Sequence, residues 1–373
     1  MHRFRWPFVA SLATLPCSPA CFAPDAAVGN DDDADPDSSE SAAPTTEDPS
    51  ADPSADPSAG GTTTDDPSAD TSVIPEGGHV AFVLEGGLYV MAAEPGAAMR
   101  LLGPELDALA PGLDEGFVQL SADGQWLLLS SERFDPQCAG YPCLSVVPIA
   151  ADTAEAVLGP DGAPIRGSSG NGAAITRGGS AIVFGAEGVH TRDLHFTTRD
   201  ATGWTAPLVL TADSPYAHNT MPRFDVNEQL IVFDCGELPY GDIGTAICEV
   251  AIDGSGFRVV WTPDQVPAGG APGGFLHHPS YSPDGGFVFE ASWIGEQVWV
   301  LAPGSAEPVP LRADHNNDNA PCVLPDGRIA SLWLGRPDSA GLHELTIKSA
   351  DGGLAEVILP DRDIVDVGLA CGL

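Results

Sequence analysis

The segment PSYSPDGGFVFEASW, residues 279 to 293, sets a Pro-Asp-Gly turn between an aromatic-bearing stretch and an alternating apolar run, and the chain repeats it. Relatives recur at intervals of about 42 to 57 residues: IPEGGHVAFV from Ile74, LSADGQWLLLSS from Leu120, ITRGGSAIVFGA from Ile175, FDVNEQLIVFDC from Phe224, YSPDGGFVFEAS from Tyr281 and LPDGRIASLWLG from Leu324. Six copies at that spacing constrain the fold more than any other feature, because it is close to the repeat length of a propeller blade. Each copy reads as a short strand, a tight turn and an apolar strand whose Val, Ile, Leu and Phe favour β structure. In the turn, proline presets φ, aspartate bonds its own backbone and glycine takes a positive φ, so the strand can reverse sharply.

Downstream of the copies come second strand pairs, such as LYVMA with MRLLG, AICEVAIDGSGFRVVW, QVWVLAPGSAEPVPL and LHELTIKSADGGLAEVIL. Their inner turns hold Asp-Gly or Pro-Gly, as short hairpins require. Four strands per repeat make one blade. The expected fold is therefore all-β, a six-bladed propeller of four-stranded blades over residues 73 to 373. The copy HHPSYSPDGGFVFEASWIGEQVWVLAPG resembles the Pro-Asp-Gly-type, WD-like repeat of the TolB-like six-bladed family, and RDLHFTTRDATGWTAPLVL resembles the outer half of such repeats. Blades two and four depart from the pattern by long insertions and a missing proline or glycine. The resemblance implies protein contacts in the periplasm.

The first copy begins at its turn, so its innermost strand is missing. The last residues, DIVDVGLACGL, read as an extra strand that ends where a turn is due. Residues 363 to 371 are expected to complete the first blade and close the ring, which removes exposed edges. Six cysteines follow residue 21, and they allow fifteen pairings. Cys138 and Cys143 flank a short loop, and Cys235 and Cys248 lie on opposite arms of one expected hairpin. A bond between the remaining Cys322 and Cys371 would staple the closure. Free thiols or another pairing are the alternative. No Cys-x-x-Cys spacing favours a metal instead.

Residues 1 to 20 have two arginines, an apolar run from Trp6 to Leu15 and then small residues, the layout of a secretory signal too short to span a membrane. The stretch resembles a bacterial lipoprotein signal, which implies a lipid on Cys21, or on Cys17; plain secretion with the same cut is the alternative. Residues 22 to 72 carry fourteen acids and no Lys or Arg. With Asp-Pro-Ser-Ala recurring, and no aromatic or branched aliphatic residue between Asn30 and Ser72, residues 21 to 72 read as a disordered tether. The remaining thirty-nine acids face thirteen bases, and the whole chain has a formal charge of −38. That charge repels phosphate backbones and anionic headgroups, so nucleic acid is excluded as a partner and membrane contact is expected only through an N-terminal lipid.

No Gly-x-Ser-x-Gly, His-Glu-x-x-His or phosphate-loop motif is present. The residues just before each inner strand converge on one mouth of a propeller channel, and a convergent polar ring is a binding-site candidate. They are Asp114, Glu115, Asn171, His218, Asn219, His277, His278, the run Asp314, His315, Asn316, Asn317, Asp318 and Asn319, and then Asp361 and Asp363. DHNNDN puts Asp314, Asn316 and Asp318 at alternating positions, like the first half of a calcium loop, but without its later glycine and glutamate. His218, His277 and His315, from three blades, form a candidate transition-metal set. Solvation of a wet mouth competes with both, and the expectation is no cofactor. Trp126, Trp293, Trp299 and Trp333 are expected to pack between blades rather than cage a ligand.

The reading is an exported monomer, in the periplasm or on the outer membrane or cell surface, that binds an envelope protein, peptide or glycan and does no chemistry. Its rival is a metal-dependent lyase or hydrolase working from the histidine-rich mouth.

Overall fold

Each short apolar run becomes one strand, and each Asp-Gly turn reverses it within the same sheet. In the computed structural model, residues 78–85, 87–102, 118–131, 136–138, 142–151, 153–167, 172–238, 244–312, 314, 317–334, 336, 341–364 and 369–372 are described, all within the compact unit Ser68–Leu373. Cys17, Cys21 and the expected tether lie outside the described residues.

Blade 1 holds β1 (His79–Leu84), β2 (Gly87–Ala92) and β3 (Arg100–Leu101). Blade 2 holds β4 (Val118–Leu120), β5 (Trp126–Ser131), β6 (Cys143–Pro148) and β7 (Glu155–Ala156). In blade 3, β8 (Ala173–Ile175), β9 (Ala181–Ala186) and β10 (Asp193–Asp200) are followed by two short segments, β11 (Gly203–Trp204) and β12 (Leu208–Val209), which share the outer position against β10. Blade 4 is β13 (His218–Phe224), β14 (Leu230–Gly236), β15 (Ala246–Ala251) and β16 (Arg258–Trp261). Blade 5 is β17 (Leu276–Tyr281), β18 (Phe287–Ala291), β19 (Gln297–Leu301) and β20 (Val309–Pro310). Blade 6 is β21 (Asp318–Val323), β22 (Ile329–Trp333), β23 (Glu344–Lys348) and β24 (Ala355–Leu359).

The tail closes the ring. β25 (Ala370–Cys371) pairs antiparallel with β1, Val80 opposite Cys371 and Ala81 opposite Ala370, and a further bridge joins Leu84 to Ile364. Blade 1 therefore has four strands, in the order β25-β1-β2-β3. The innermost strands touch in the cycle β4, β8, β13, β17, β21, β25 and back to β4. The side-chain amide of Gln119 in β4 donates to the Cys371 carbonyl at 3.1 Å, so the tail is also held from blade 2.

Side chains alternate across a strand, so a blade between two neighbours buries both of its faces. This is why the repeat reads as nearly continuous apolar runs. In β1, Val80, Phe82 and Leu84 pack with Cys322, Leu324 and Leu332 of blade 6, while Ala81 and Val83 pack with Leu120 and Leu127 of blade 2. Apolar clusters lie likewise between blades 2 and 3, 3 and 4, 4 and 5, and 5 and 6. Trp293 and Trp299 are fully buried and meet edge to face at 5.0 Å within the cluster between blades 4 and 5. Trp126 packs against the cluster between blades 2 and 3.

The turns answer the opening pattern. In blade 5 the Gly285 N–H donates to the Ser282 carbonyl at 2.9 Å, the Ser282 hydroxyl donates to Asp284 Oδ1 at 2.5 Å, and Gly285 has φ +88°. Blade 2 repeats the arrangement with Ser121 and Asp123. In blade 4, where glycine is missing, Glu228 adopts φ +56° in its place.

Three disulfides are present: Cys138–Cys143, Cys235–Cys248 and Cys322–Cys371, with Cα separations of 5.5, 5.9 and 5.8 Å. Such bonds persist in oxidising compartments. The third joins the inner strand of blade 6 to that of blade 1.

Candidate functional site

The inner strands of blades 4, 5 and 6 share a device near their starts. Each is interrupted by a bulge, between Thr220 and Arg223, between His277 and Ser280, and between Asn319 and Cys322. In each, a non-glycine residue with positive φ stands just before a proline: Met221 (52°), His278 (49°) and Ala320 (48°). Gly172 (67°), just before β8, begins blade 3 in the same conformation, and a Cβ there would stand 2.8 Å from Met221 Cα. A bulge re-aims the side chain it carries and ends regular pairing. In blade 5 the bulge starts directly after His277 and holds His278 left-handed, and the two imidazoles face carboxylates on β14 and β18.

His277 is 3% exposed, and its Nδ1 lies 3.0 Å from Asp234 Oδ2, on the second strand of blade 4. His278 Nδ1 lies 3.2 Å from Glu290 Oε2, and the same oxygen accepts the Ala320 N–H of blade 6 at 3.1 Å. The two imidazoles are 5.9 Å apart, and the Phe275 ring lies 4.5 Å from that of His277. Blades 4, 5 and 6 are thus connected by one acid–histidine chain. Burial raises the Asp234 carboxyl above the ordinary aspartate value against the pull of His277. Burial alone would lower His277, but its hydrogen bond to Asp234 and the charges of Asp234, Glu290 and Glu296 outweigh it, and the net shift is upward.

The other expected mouth residues have separate partners. The buried Asn219 takes the Ser214 hydroxyl on its Oδ1 at 2.9 Å, and its amide donates to the Arg192 carbonyl at 3.1 Å, so it clamps the loop before β13. Asp318 is buried against Lys348, the only lysine of the chain, at 2.7 Å. The lysine also donates to the Ser331 and Thr346 hydroxyls. Burial lowers the Lys348 ammonium below the ordinary lysine value, with Asp318 opposing. Asp314 is clamped by two hydrogen bonds from Arg312, at 2.8 and 2.7 Å. Asp363 accepts the backbone N–H of His343 at 3.0 Å, and the Asp361 N–H donates to Glu344 at 2.6 Å. His218 is half-buried at the start of β13, opposite Gly236. Asp114, Glu115, Asn171, His315 and Asn316 lie outside the described residues.

The structure therefore brings together His277 and His278 and adds two acids that the repeat reading overlooked. Asp234 and Glu290 occupy the same place in apolar second strands, LIVFDC and FVFEAS. A charge inside an inter-blade face is the signal that finds them. Among the described residues, no group of three His, Cys, Asp or Glu is placed to hold a metal.

No family model and no curated protein matches the chain. Solved structures do. TolB from Acinetobacter baumannii superposes with a TM-score of 0.58 at 14% identity, over 79% of this chain and 66% of that one. A chain of the nidogen/laminin complex gives 0.55 at 11% identity, over 80% and 99%. Hydrazine synthase of Kuenenia stuttgartiensis gives 0.54 at 12% identity, over 79% of this chain and 46% of that one. At these identities the likeness is one of fold: this chain is a six-bladed propeller structurally similar to that of TolB.

Proposed function

We propose that the chain is an exported, non-catalytic binding module whose recognition face lies where the inner strands begin. The carrying observation is a paired polar network at the strand starts, in which the buried pairs His277–Asp234 and Asp318–Lys348 underlie the more exposed His278, held by Glu290, and Asp314, held by Arg312. Such pairing fixes a polar surface of defined shape, which suits recognition of an envelope protein, peptide or glycan. Three disulfides, a signal-like N-terminus and the likeness to a TolB propeller support an extracytoplasmic setting. That setting is the periplasm or the cell surface, with a lipid on Cys21 as the anchor. The match to a chain of a two-protein complex supports a protein partner.

A photo-crosslinker at Asp314 should capture one species from an envelope extract that a crosslinker at Leu208, exposed on the outer strand β12 of blade 3, does not. Identical capture from both positions would overturn the reading. One observation favours the rival, a metal-dependent lyase or hydrolase: a buried carboxylate on Nδ1 is the arrangement that orients a metal-ligating imidazole. Elemental analysis of the purified protein separates the two. Stoichiometric metal, lost on His277→Ala, would favour the rival.

A further inference from the structure

Around the face opposite the histidines, the turns that follow the inner strands meet their neighbours. Gly178 N–H donates to Asp123 at 3.0 Å between blades 3 and 2, and Arg177 N–H donates to Glu228 at 2.6 Å between blades 3 and 4. Gly327 lies against Pro283, and Gly78 against Pro325. Between blades 4 and 5 the turns instead stand as two banks of a groove of about 350 Å³.

The walls of the groove are apolar, formed by Leu230 from one bank and by Pro283 and Phe287 from the other. Its back is a closed ion pair. Glu249, buried, accepts the Arg258 Nε–H at 2.8 Å on one oxygen and the Tyr281 hydroxyl at 2.9 Å on the other. The Arg258 charge is therefore balanced inside the groove. Two carboxylates without such balance remain, one on each bank. Asp225 accepts the N–H groups of Asn227, Gln229 and Leu230, at 3.2, 2.6 and 2.8 Å. Asp284 is held below the ordinary aspartate value, first by the Ser282 hydroxyl and then by the Gly286 N–H. An apolar slot with a fixed negative charge on either bank fits a side chain with an aliphatic stem and a cationic head.

We propose that this groove is a recognition site for an arginine or lysine side chain presented by an extended peptide segment of a protein partner. The stem lies along Leu230, Pro283 and Phe287, and the head sits between Asp225 and Asp284. The volume is that of a small ligand pocket, enough for one long side chain with its flanking backbone. Charge selects the occupant: the chain carries −38 overall, so a cationic side chain is drawn to this slot and an anionic one is repelled. The site lies on the opposite face from the one argued above and does not depend on it.

The test uses the full mature chain and fluorescein-labelled Gly/Ser heptapeptides with a central arginine, lysine or citrulline, followed by anisotropy at low and high salt. The arginine and lysine peptides should bind, and the citrulline peptide, of the same shape but neutral, should not. Asp284→Asn keeps the turn's hydrogen-bond acceptor and should weaken binding about tenfold, as loss of one charge-assisted contact does. Asn227→Lys, on the exposed bank, should abolish it. Asp351→Asn, an exposed turn aspartate on blade 6, should leave it unchanged. Equal binding of the citrulline peptide, equal weakening by Asp351→Asn, indifference to both groove substitutions, or no binding of either basic peptide would each overturn the proposal.

Discussion

Lys348 illustrates what a single side chain does inside a blade. Its stem runs along β23 past Thr346 to Ser331 and ends on Asp318, so one cation satisfies polar groups on three strands of blade 6. Removing one member of a buried pair strands the other, at a cost of about 3 kcal/mol or more. Lys348→Met should therefore unfold at clearly lower denaturant, and Lys348→Met combined with Asp318→Leu should recover most of the loss. A double variant that adds the two losses would contradict the pairing. His277 gives a pH prediction. Its raised value means the folded state favours the protonated imidazole. That stabilisation is fully present below the ordinary histidine value of 6.5 and is lost as pH rises through the folded value. The gap in Tm between wild type and His277→Gln should narrow as pH rises past 6.5. A gap independent of pH would show that the proton is not involved. The comparison with the variant is needed because burial lowers His79 and His195, which push the whole protein the opposite way.

At the scale of elements, the turns were legible from sequence and the bulges were not. Ser-x-Asp-Gly states its own geometry, since the serine, aspartate and glycine each satisfy a local requirement. The bulges of β13, β17 and β21 leave only a proline as a trace, in TMPR, HHPS and NAPC, and a proline in a strand does not reveal that the residue before it is left-handed. The acids of the site were missed for a different reason. His277 and Asp234 lie forty-three residues apart and meet only because the inner strand of blade 5 packs beside the second strand of blade 4. Asn219 and Asp318 show the converse. Their residue types advertise ligands, yet each closes a hydrogen-bond network inside the fold. The bulge makes a stability prediction. A left-handed non-glycine residue costs about 1 to 2 kcal/mol, so Ala320→Gly should be near neutral by urea unfolding, relief of strain offsetting the lost methyl and the added chain entropy. Ala81→Gly, in the regular part of β1, should cost about 1.5 kcal/mol or more. Equal losses at the two positions would remove strain from the account.

The whole molecule is a ring whose two ends meet in one sheet, and that closure was legible because the first repeat lacks a strand and the last has one to spare. The Cys322–Cys371 bond spans forty-nine residues, whereas Cys138–Cys143 spans five. On the chain-entropy model the longer loop contributes about 4 kcal/mol and the shorter about 2. Cys322→Ser with Cys371→Ser should therefore lower Tm more than Cys138→Ser with Cys143→Ser. The most direct test of closure is a disulfide map of the unreduced protein by peptide mass spectrometry. A peptide containing Cys371 linked to one containing Cys322 is the expected result, and Cys371 found free or bonded to any other cysteine would contradict the closed ring.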